Sequence, residues 1–417
     1  MTMRAPRAKT LAAILGIAAL TLTALTGCGS SNKSNGGGST GGGAGTSAAA
    51  PSGGGTYEIG LTGDFSAGYA ALAVPWRDGI LAYFDAVNKA GGINGNKVNV
   101  TALDDGNTPT NAAANVHRFI SAKDSAVFVY SSTTAVTVGP LLSDAKIPAS
   151  ILAPTLDQLE PVQPYLFTIT APLASLGKPM LDTVVSIGKE KGIASPKVGI
   201  LTGQSPVLAA LNDAAVQAAK DAGVTVVENQ KLPTTATTSD AQALALASKK
   251  PDVVVLAASN NLAISAVGVL RQQGFTGPII AYPGAGSLPT MKQLNDANYY
   301  VLNTSPYSQA GTTPTIDKFI ADVQAYGKDP NSPNMINGYA QGMVMGKALE
   351  ACGYPCTGEK LQAAMSGLSN LDLDGLLFGP IDYSQNHAGC TLGQVFVWDP
   401  DKQVLNKVGD PTEIPLS

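Results

Sequence analysis

Residues 59–100 read IGLTGDFSAGYAALAVPWRDGILAYFDAVNKAGGINGNKVNV, and this stretch decides the fold class. Its middle carries large apolar side chains at the spacing of one helix face, namely Trp76, Ile80, Tyr83, Phe84 and Val87. The glycine pair at 91–92 marks the end of the helix, because glycine adopts a positive φ at little cost. An Asn-Gly turn at 94–95 then leads into an alternating segment. The stretch therefore predicts a helix that is followed by a strand at 97–103.

The alternation of strands and helices continues along the rest of the chain. We predict further strands at 126–130, 149–152, 198–201, 224–227, 252–256 and 278–281, with helices between them, one of which runs from Leu173 to Lys191. Short β/α alternation implies parallel sheets that are covered by helices. The chain from Thr56 onward is too long for one compact core, so we expect two lobes. Tyr299–Leu302 is predicted to cross between them, and the region from Leu376 is predicted to contain hairpins.

The N-terminus has the pattern of a secretory signal. Basic residues precede an apolar run at 11–24, which is shorter than the 20 or so residues of a membrane span. The run ends in Leu-Thr-Gly-Cys, which resembles a bacterial lipobox with Cys28 as the lipidated residue. The alternative is an ordinary signal that is cut near an unrelated cysteine. We predict a lipoprotein signal peptide at 1–27, followed by a flexible Gly/Ser linker at 28–55 with a reach on the order of 30 Å.

Charge and cysteine content exclude several classes of protein. The formal net charge is −4 with 13% charged residues, and no basic cluster indicates a nucleic-acid partner. Outside the cytoplasm a disulfide is permitted, and the Gly and Pro between Cys352 and Cys356 allow a tight turn that would join them. The alternative pairs Cys390 with one of the two. The cysteines and histidines lack the spacing of a metal site, so we expect no metal and no cofactor.

No catalytic motif stands out. Asp104 and Asp105 precede a glycine and a Thr-Pro pair, which indicates a turn and a helix cap rather than acid-base chemistry. His117 lies in a helical pattern and His387 in a polar turn, and neither accompanies a nucleophile elbow. The sequence therefore does not predict an enzyme.

Several motifs, taken in order, resemble one known family. They are the opening stretch at 59–100, LDDGNTPTNAA at 103–113, IPASILAPT at 147–155, PYLFTIT at 164–170 and GYAQGMVMGKALEACG at 338–353. Their order and spacing resemble the type I periplasmic binding proteins, specifically the leucine/isoleucine/valine-binding family in a lipoprotein form. The resemblance covers essentially all of 57–400. It implies an α/β fold of two Rossmann-like lobes with parallel central sheets joined by a three-stranded hinge.

The resemblance also implies the domain boundaries and the function. Lobe I would comprise 57–169 plus 303–382, and lobe II 170–302 plus 383–417. The protein would be a monomer on the outer side of the cell membrane, attached only through its lipid. It would capture a small polar solute between the lobes and deliver it to the permease of an ABC importer. The alternative is a ligand sensor with the same fold that signals to a membrane partner.

The candidate ligand-binding residues of lobe I follow the predicted strands, where ligands of open α/β sheets bind. In the resembled family a serine after the third strand holds the ligand's carboxylate, and Ser131 matches it best, with Tyr130 and Ser132 beside it. Ala153 and Thr155 match the second half of that clamp, while Phe65 and Tyr69 match aromatic residues of the first loop. Serines and threonines at such positions also cap helices, which is the alternative interpretation.

Lobe II departs from the pattern of the amino-acid binders. Ser205 and Asn260 stand where that pattern has aromatic residues, and Gly284 stands where it keeps an acid for the ligand's ammonium group. An ammonium group buried without a partner is costly. We therefore expect a small organic acid, an amide or an aromatic acid as the ligand. Ser205, Asn260 and Tyr282 are the hydrogen-bonding candidates of this lobe.

Overall fold

The computed structural model describes residues 54–332 and 334–416. The predicted signal segment, Cys28 and the linker as far as residue 53 lie outside these ranges. Among the described helices, none combines the length and the apolar character that crossing a membrane requires.

The first lobe is built on a five-stranded parallel sheet in the order β2-β1-β3-β4-β5. Its strands are β1 (Thr56–Gly63), β2 (Lys97–Asp104), β3 (Ala126–Val129), β4 (Ala149–Ile151) and β5 (Leu166–Phe167). Helices connect the first four strands: α1 (Ala70–Lys89), α2 (Pro109–Ala122) and α3 (Ser132–Asp144). The predicted turn after α1 is confirmed, since Gly91 and Gly92 have φ values of 110° and 84°.

The second lobe is built on a seven-stranded sheet in the order β12-β11-β10-β9-β8-β6-β7. Its strands are β6 (Val198–Gly203), β7 (Val226–Leu232), β8 (Val253–Ala257), β9 (Ile279–Ala281), β10 (Tyr299–Asn303), β11 (Leu392–Asp399) and β12 (Val404–Glu413). Strands β6 to β10 run parallel, whereas β11 and β12 add an antiparallel hairpin. The sheet is therefore mixed, which refines the prediction of parallel central sheets. Its helices are α4 (Gly177–Glu190), α5 (Pro206–Asp221), α6 (Asp240–Ser248), α7 (Asn260–Gln272) and α8 (Leu288–Leu294).

Three element predictions in this lobe were wrong in detail, and one is the strand at 224–227, which runs instead from Val226 to Leu232. The segment Tyr299–Leu302 is not a crossing but lies within β10, where its fully buried residues pair with β9 and β11. The predicted helix from Leu173 to Lys191 begins with a short 3₁₀ turn at Leu173–Leu176 before α4 starts.

The chain passes between the lobes three times: after β5, after β10 and before β11. The first and third crossing segments are hydrogen-bonded to each other. Thr168 N donates to His387 O at 2.8 Å, and Cys390 N donates to Ile169 O at 3.0 Å. After the second pass the chain returns to pack α9 (Pro314–Ala325), α10 (Met335–Cys352) and α11 (Gly358–Ser366) into the core of the first lobe. The lobe boundaries given above are compatible with this arrangement and stay a prediction.

Helices α1 and α10 pack unusually closely in the first lobe. A Cβ added at Gly338 would overlap the carbonyl oxygen of Trp76, and one added at Gly79 would overlap that of Met335. Trp76 is fully buried and its indole Nε1 donates to Gln341 Oε1, so it is a core residue. Its ring also lies 5.3 Å from that of Tyr130, centroid to centroid.

The predicted disulfide between Cys352 and Cys356 is confirmed. Cys352 and Cys356 form a disulfide across a Cα–Cα distance of 5.7 Å, at the end of α10. Cys390 is buried and has no disulfide partner among the described residues.

Candidate functional site

A cavity lies between the lobes, at the carboxyl ends of the strands of both sheets. Loops after β1, β3 and β4 form one wall, loops after β6 and β9 form the other, and the crossing after β10 and the start of α10 close one side. The cavity volume is about 80 Å³, several times the roughly 10–15 Å³ that one water molecule needs. The space therefore suits a small organic molecule.

Seven of the ten predicted ligand-binding residues line this cavity. They come from loops that are far apart in sequence: Tyr69, Tyr130, Ser131, Ser132, Ala153, Ser205 and Tyr282. Parallel strands end at the same edge of their sheet, and this is what brings these loops together. The structure does not show that these residues contact a ligand, so that part stays a prediction.

The other three predicted residues do not line the cavity and have different partners. Phe65 packs against Arg77, whose guanidinium carbon lies 4.9 Å from the ring centroid. Thr155 donates from its hydroxyl to Gln158 Oε1 at 3.1 Å, within a short helical turn that it caps. Asn260 Oδ1 accepts from the Thr290 hydroxyl at 2.8 Å, which ties α7 to α8. These hydrogen bonds engage the side chains of Thr155 and Asn260 outside the cavity.

Replacement of Thr155 tests this correction. We expect Thr155→Ala to lower the free energy of unfolding by about 1 kcal/mol, because it removes a cap. Ligand affinity should change by less than about twofold, since the hydroxyl faces Gln158 and not the cavity. Denaturant unfolding and calorimetric titration of the same variant measure both. A tenfold loss of affinity would restore Thr155 to the binding site.

Ser131 both caps a helix and lines the cavity, so the two interpretations of this residue are compatible. Its Oγ accepts from Thr134 N at 3.3 Å, which caps α3, and its hydroxyl donates to Asn107 Oδ1 at 2.7 Å. Asp105 holds Asn107 in turn by accepting from Asn107 N at 2.8 Å. Because the Ser131 hydroxyl proton is engaged, an anion here would be held by the free backbone N–H groups of the first turn of α3.

A second helix begins opposite α3, on the other lobe. Ser205 is the N-cap residue of α5, makes no side-chain capping bond, and lines the cavity together with Tyr69 of the first lobe. Val207 N donates to Ser132 Oγ at 3.4 Å, which is a contact between the lobes. The cavity therefore lies beside the positive ends of two helices, and both ends favour a negatively charged group.

No charged side chain lines the cavity, whose described wall contains hydroxyl, amide and apolar groups only. Burial raises the pKa of Tyr69, Tyr130 and Tyr282, so these tyrosines are neutral donors at physiological pH. Asp64 raises the pKa of Tyr69 and Tyr130 further through its charge, but it is not part of the wall. Its carboxylate accepts from Ala67 N at 2.6 Å and from Tyr69 N at 2.7 Å.

Several cavity residues were missed by the sequence analysis. Leu72 and Leu208 add apolar surface from α1 and α5, and Thr304 comes from the crossing after β10. Asn334 and Asn337 enter from the start of α10, which follows Tyr130 by about two hundred residues. The hydrophobic spacing of α1 could have indicated Leu72, whereas no local pattern marks the two asparagines.

Within 54–332 and 334–416, no three His, Cys, Asp or Glu side chains gather in the manner of metal ligands. Burial raises the pKa of Asp105 to about 6, but its oxygens accept from Thr62 Oγ1 and Asn107 N, which gives it a structural role.

Comparison with known proteins agrees with this architecture. The model of the periplasmic binding protein family matches residues 56–402. The chain is 26% identical over 308 residues to Leu/Ile/Val-binding protein homolog 8 of Brucella abortus, covering 69% of this chain and 74% of that protein.

Two solved structures share the fold. One is a fatty acid ABC transporter substrate-binding protein from Thermomonospora curvata, with a TM-score of 0.75, 22% identity and coverage of 87% of this chain and 93% of that one. The other is a branched chain amino acid ABC transporter from Thermus thermophilus with bound valine, with a TM-score of 0.78, 16% identity and coverage of 87% and 97%. This chain therefore belongs to the periplasmic binding protein family, with similarity to a leucine/isoleucine/valine-binding homolog, and is a binding protein rather than an enzyme.

Proposed function

We propose that this protein captures a small organic acid, an amide or an aromatic acid, and not a standard α-amino acid, for an ABC importer. The observation that carries the proposal is a cavity that has no charged side chain and is lined by residues at the starts of two helices. A carboxylate can be held by backbone N–H groups and neutral hydroxyls. An ammonium group in the same space would lie without an anionic partner, which is costly.

Gly284 supports the exclusion of an ammonium group. It lines the cavity at the position where the sequence pattern of amino-acid binders predicts an acid, and it offers no side chain at all. The similar structures leave the ligand class open, because one is a fatty acid transporter's binding protein and the other holds bound valine. The groups on the cavity wall must therefore make the choice in this chain.

We also propose that the body is tethered outside the cytoplasm through Cys28. Support comes from the order of the sequence elements, in which a basic segment, an apolar run, the Leu-Thr-Gly-Cys motif and a Gly/Ser linker precede β1. The linker would let the cavity turn toward a permease while the lipid keeps the protein at the membrane.

A thermal-shift screen of the purified protein tests the proposed ligand class. The panel contains small organic acids, amides, aromatic acids and the standard amino acids. A specific ligand at a hundredfold excess over its dissociation constant stabilises the folded state by about 2.7 kcal/mol. We expect stabilisation by members of the first three groups and none by the amino acids. Stabilisation by amino acids alone would contradict the proposal.

A further inference from the structure

We propose that the ligand extends through two adjoining compartments and carries, at the end remote from its carboxylate, an uncharged hydrogen-bonding group that meets Asn334. This inference rests on the proposed function and narrows its ligand class. It follows from the shape of the cleft, the groups that line it and the partners of the Asn334 side chain.

A second compartment adjoins the cavity described above. The two share four wall residues, namely Leu72, Pro283, Asn334 and Asn337. The first compartment holds the tyrosines and leucines and lies beside the starts of α3 and α5. The second lies beside the crossing after β10 and the start of α8. A ligand whose carboxylate lies at the start of α3 can therefore place an apolar body between the tyrosines and its other end in the second compartment.

The second compartment is polar but uncharged. Its described wall contains serines, asparagines and Tyr307, together with prolines and a few aliphatic residues, and no charged side chain. Several of these polar groups are already committed to protein partners: Ser305 to Asn337, Ser308 to Pro330 O, and Tyr307 to Gly286 O. A charged ligand end would be left without a counter-ion here, whereas a hydroxyl or an amide needs only one or two partners.

Asn334 is the polar wall residue with the weakest protein partners at the junction. Its Nδ2 reaches Leu72 O and Tyr130 Oη only at 3.5 Å, and Asn337 Nδ2 reaches its Oδ1 at 3.4 Å. It precedes α10 without making a side-chain capping bond. These contacts are at the limit of hydrogen-bond geometry, so the amide can turn to a ligand group at little cost.

Pairs of acids that differ in one distal hydroxyl test the inference by calorimetric titration of the full-length protein. The probes are phenylacetate against 4-hydroxyphenylacetate, and hexanoate against 6-hydroxyhexanoate. We expect the hydroxylated member of at least one pair to bind about tenfold more tightly, because a hydrogen bond to the half-buried amide of Asn334 is gained. In Asn334→Gly that ratio should fall to about one. Glycine keeps the left-handed backbone of this position, where φ is 60°.

Asn370→Gly is the matched control. Asn370 also has a positive φ, of 51°, but it is exposed and does not line either compartment. The tenfold ratio should survive in this variant. Equal affinity for both members of each pair in the unmodified protein would overturn the inference and leave the proposed function standing. A ratio that persists in Asn334→Gly would overturn the role of Asn334. Failure of all four acids to bind would overturn this inference, whereas the thermal-shift screen decides separately about the proposed function.

Discussion

Ser131→Asp should weaken the binding of an acid ligand by at least about 100-fold while the protein keeps its stability. The new carboxylate would lie at the start of α3, where we place the ligand's carboxylate. Two negative charges about 4 Å apart repel by roughly 4 kcal/mol at the effective dielectric constant of a protein site. Aspartate caps helices as well as serine does, so α3 should stay folded. The neighbouring amide of Asn107, which now accepts from Ser131, can turn to donate instead.

The Ser131→Asp variant separates the effect on ligand binding from the effect on helix capping. Ser131→Ala cannot do this, because alanine also removes the cap. Calorimetric titration measures the affinity, and denaturant unfolding measures the stability of the same sample. Thr357→Asp is the matched control, because Thr357 caps α11 by accepting from Lys360 N at 3.4 Å and lies outside the cavity. The Thr357→Asp variant should bind the acid ligand with the affinity of the unmodified protein. Undiminished acid binding by Ser131→Asp would place the ligand's carboxylate elsewhere.

Gly338→Ala should lower the free energy of unfolding by about 2–3 kcal/mol, in the upper part of the range of about 1–3 kcal/mol that extra volume in a packed core typically costs. A methyl group at this position would overlap the carbonyl oxygen of Trp76, which is a backbone atom of α1 and cannot turn aside. The two helices would have to separate, and they carry much of the core of the first lobe. Because Trp76 packs against Tyr130, a displacement of α1 should also affect Tyr130 in the cavity wall.

Gly268→Ala provides the comparison for this prediction. Gly268 also lies within a helix, α7, but a Cβ added there would meet no atom within 4 Å. Alanine should therefore leave stability unchanged or raise it by up to about 1 kcal/mol. Denaturant unfolding of both variants measures the difference. Equal stability of Gly338→Ala and Gly268→Ala would show that the contact between α1 and α10 is looser than the structure indicates.

The order of strands and helices could be predicted because its signals are local. Helical spacing from Trp76 to Val87 indicated α1, and the glycines at 91–92 indicated where the helix ends. The run Tyr299–Leu302 was misassigned because a short apolar segment carries no signal of its neighbours in a sheet. It pairs with Ile279–Ala281 on one side and, on the other, with Leu392–Asp399, which lies about ninety residues further along the chain.

The sequence by itself determined the β/α class, the disulfide turn at Cys352–Cys356 and the loops that follow the strands, because each depends on a few neighbouring residues. Only the tertiary structure decided which polar side chains in those loops face the cavity. Ala153 lines it, whereas Thr155, two residues later, is turned away by its bond to Gln158. Asn334 lines it from a helix that no strand-end pattern indicates. The partner of Thr155 is only three residues away, whereas the position of Asn334 is set by the packing of α10 into the core of the first lobe, which exists only when distant segments have come together.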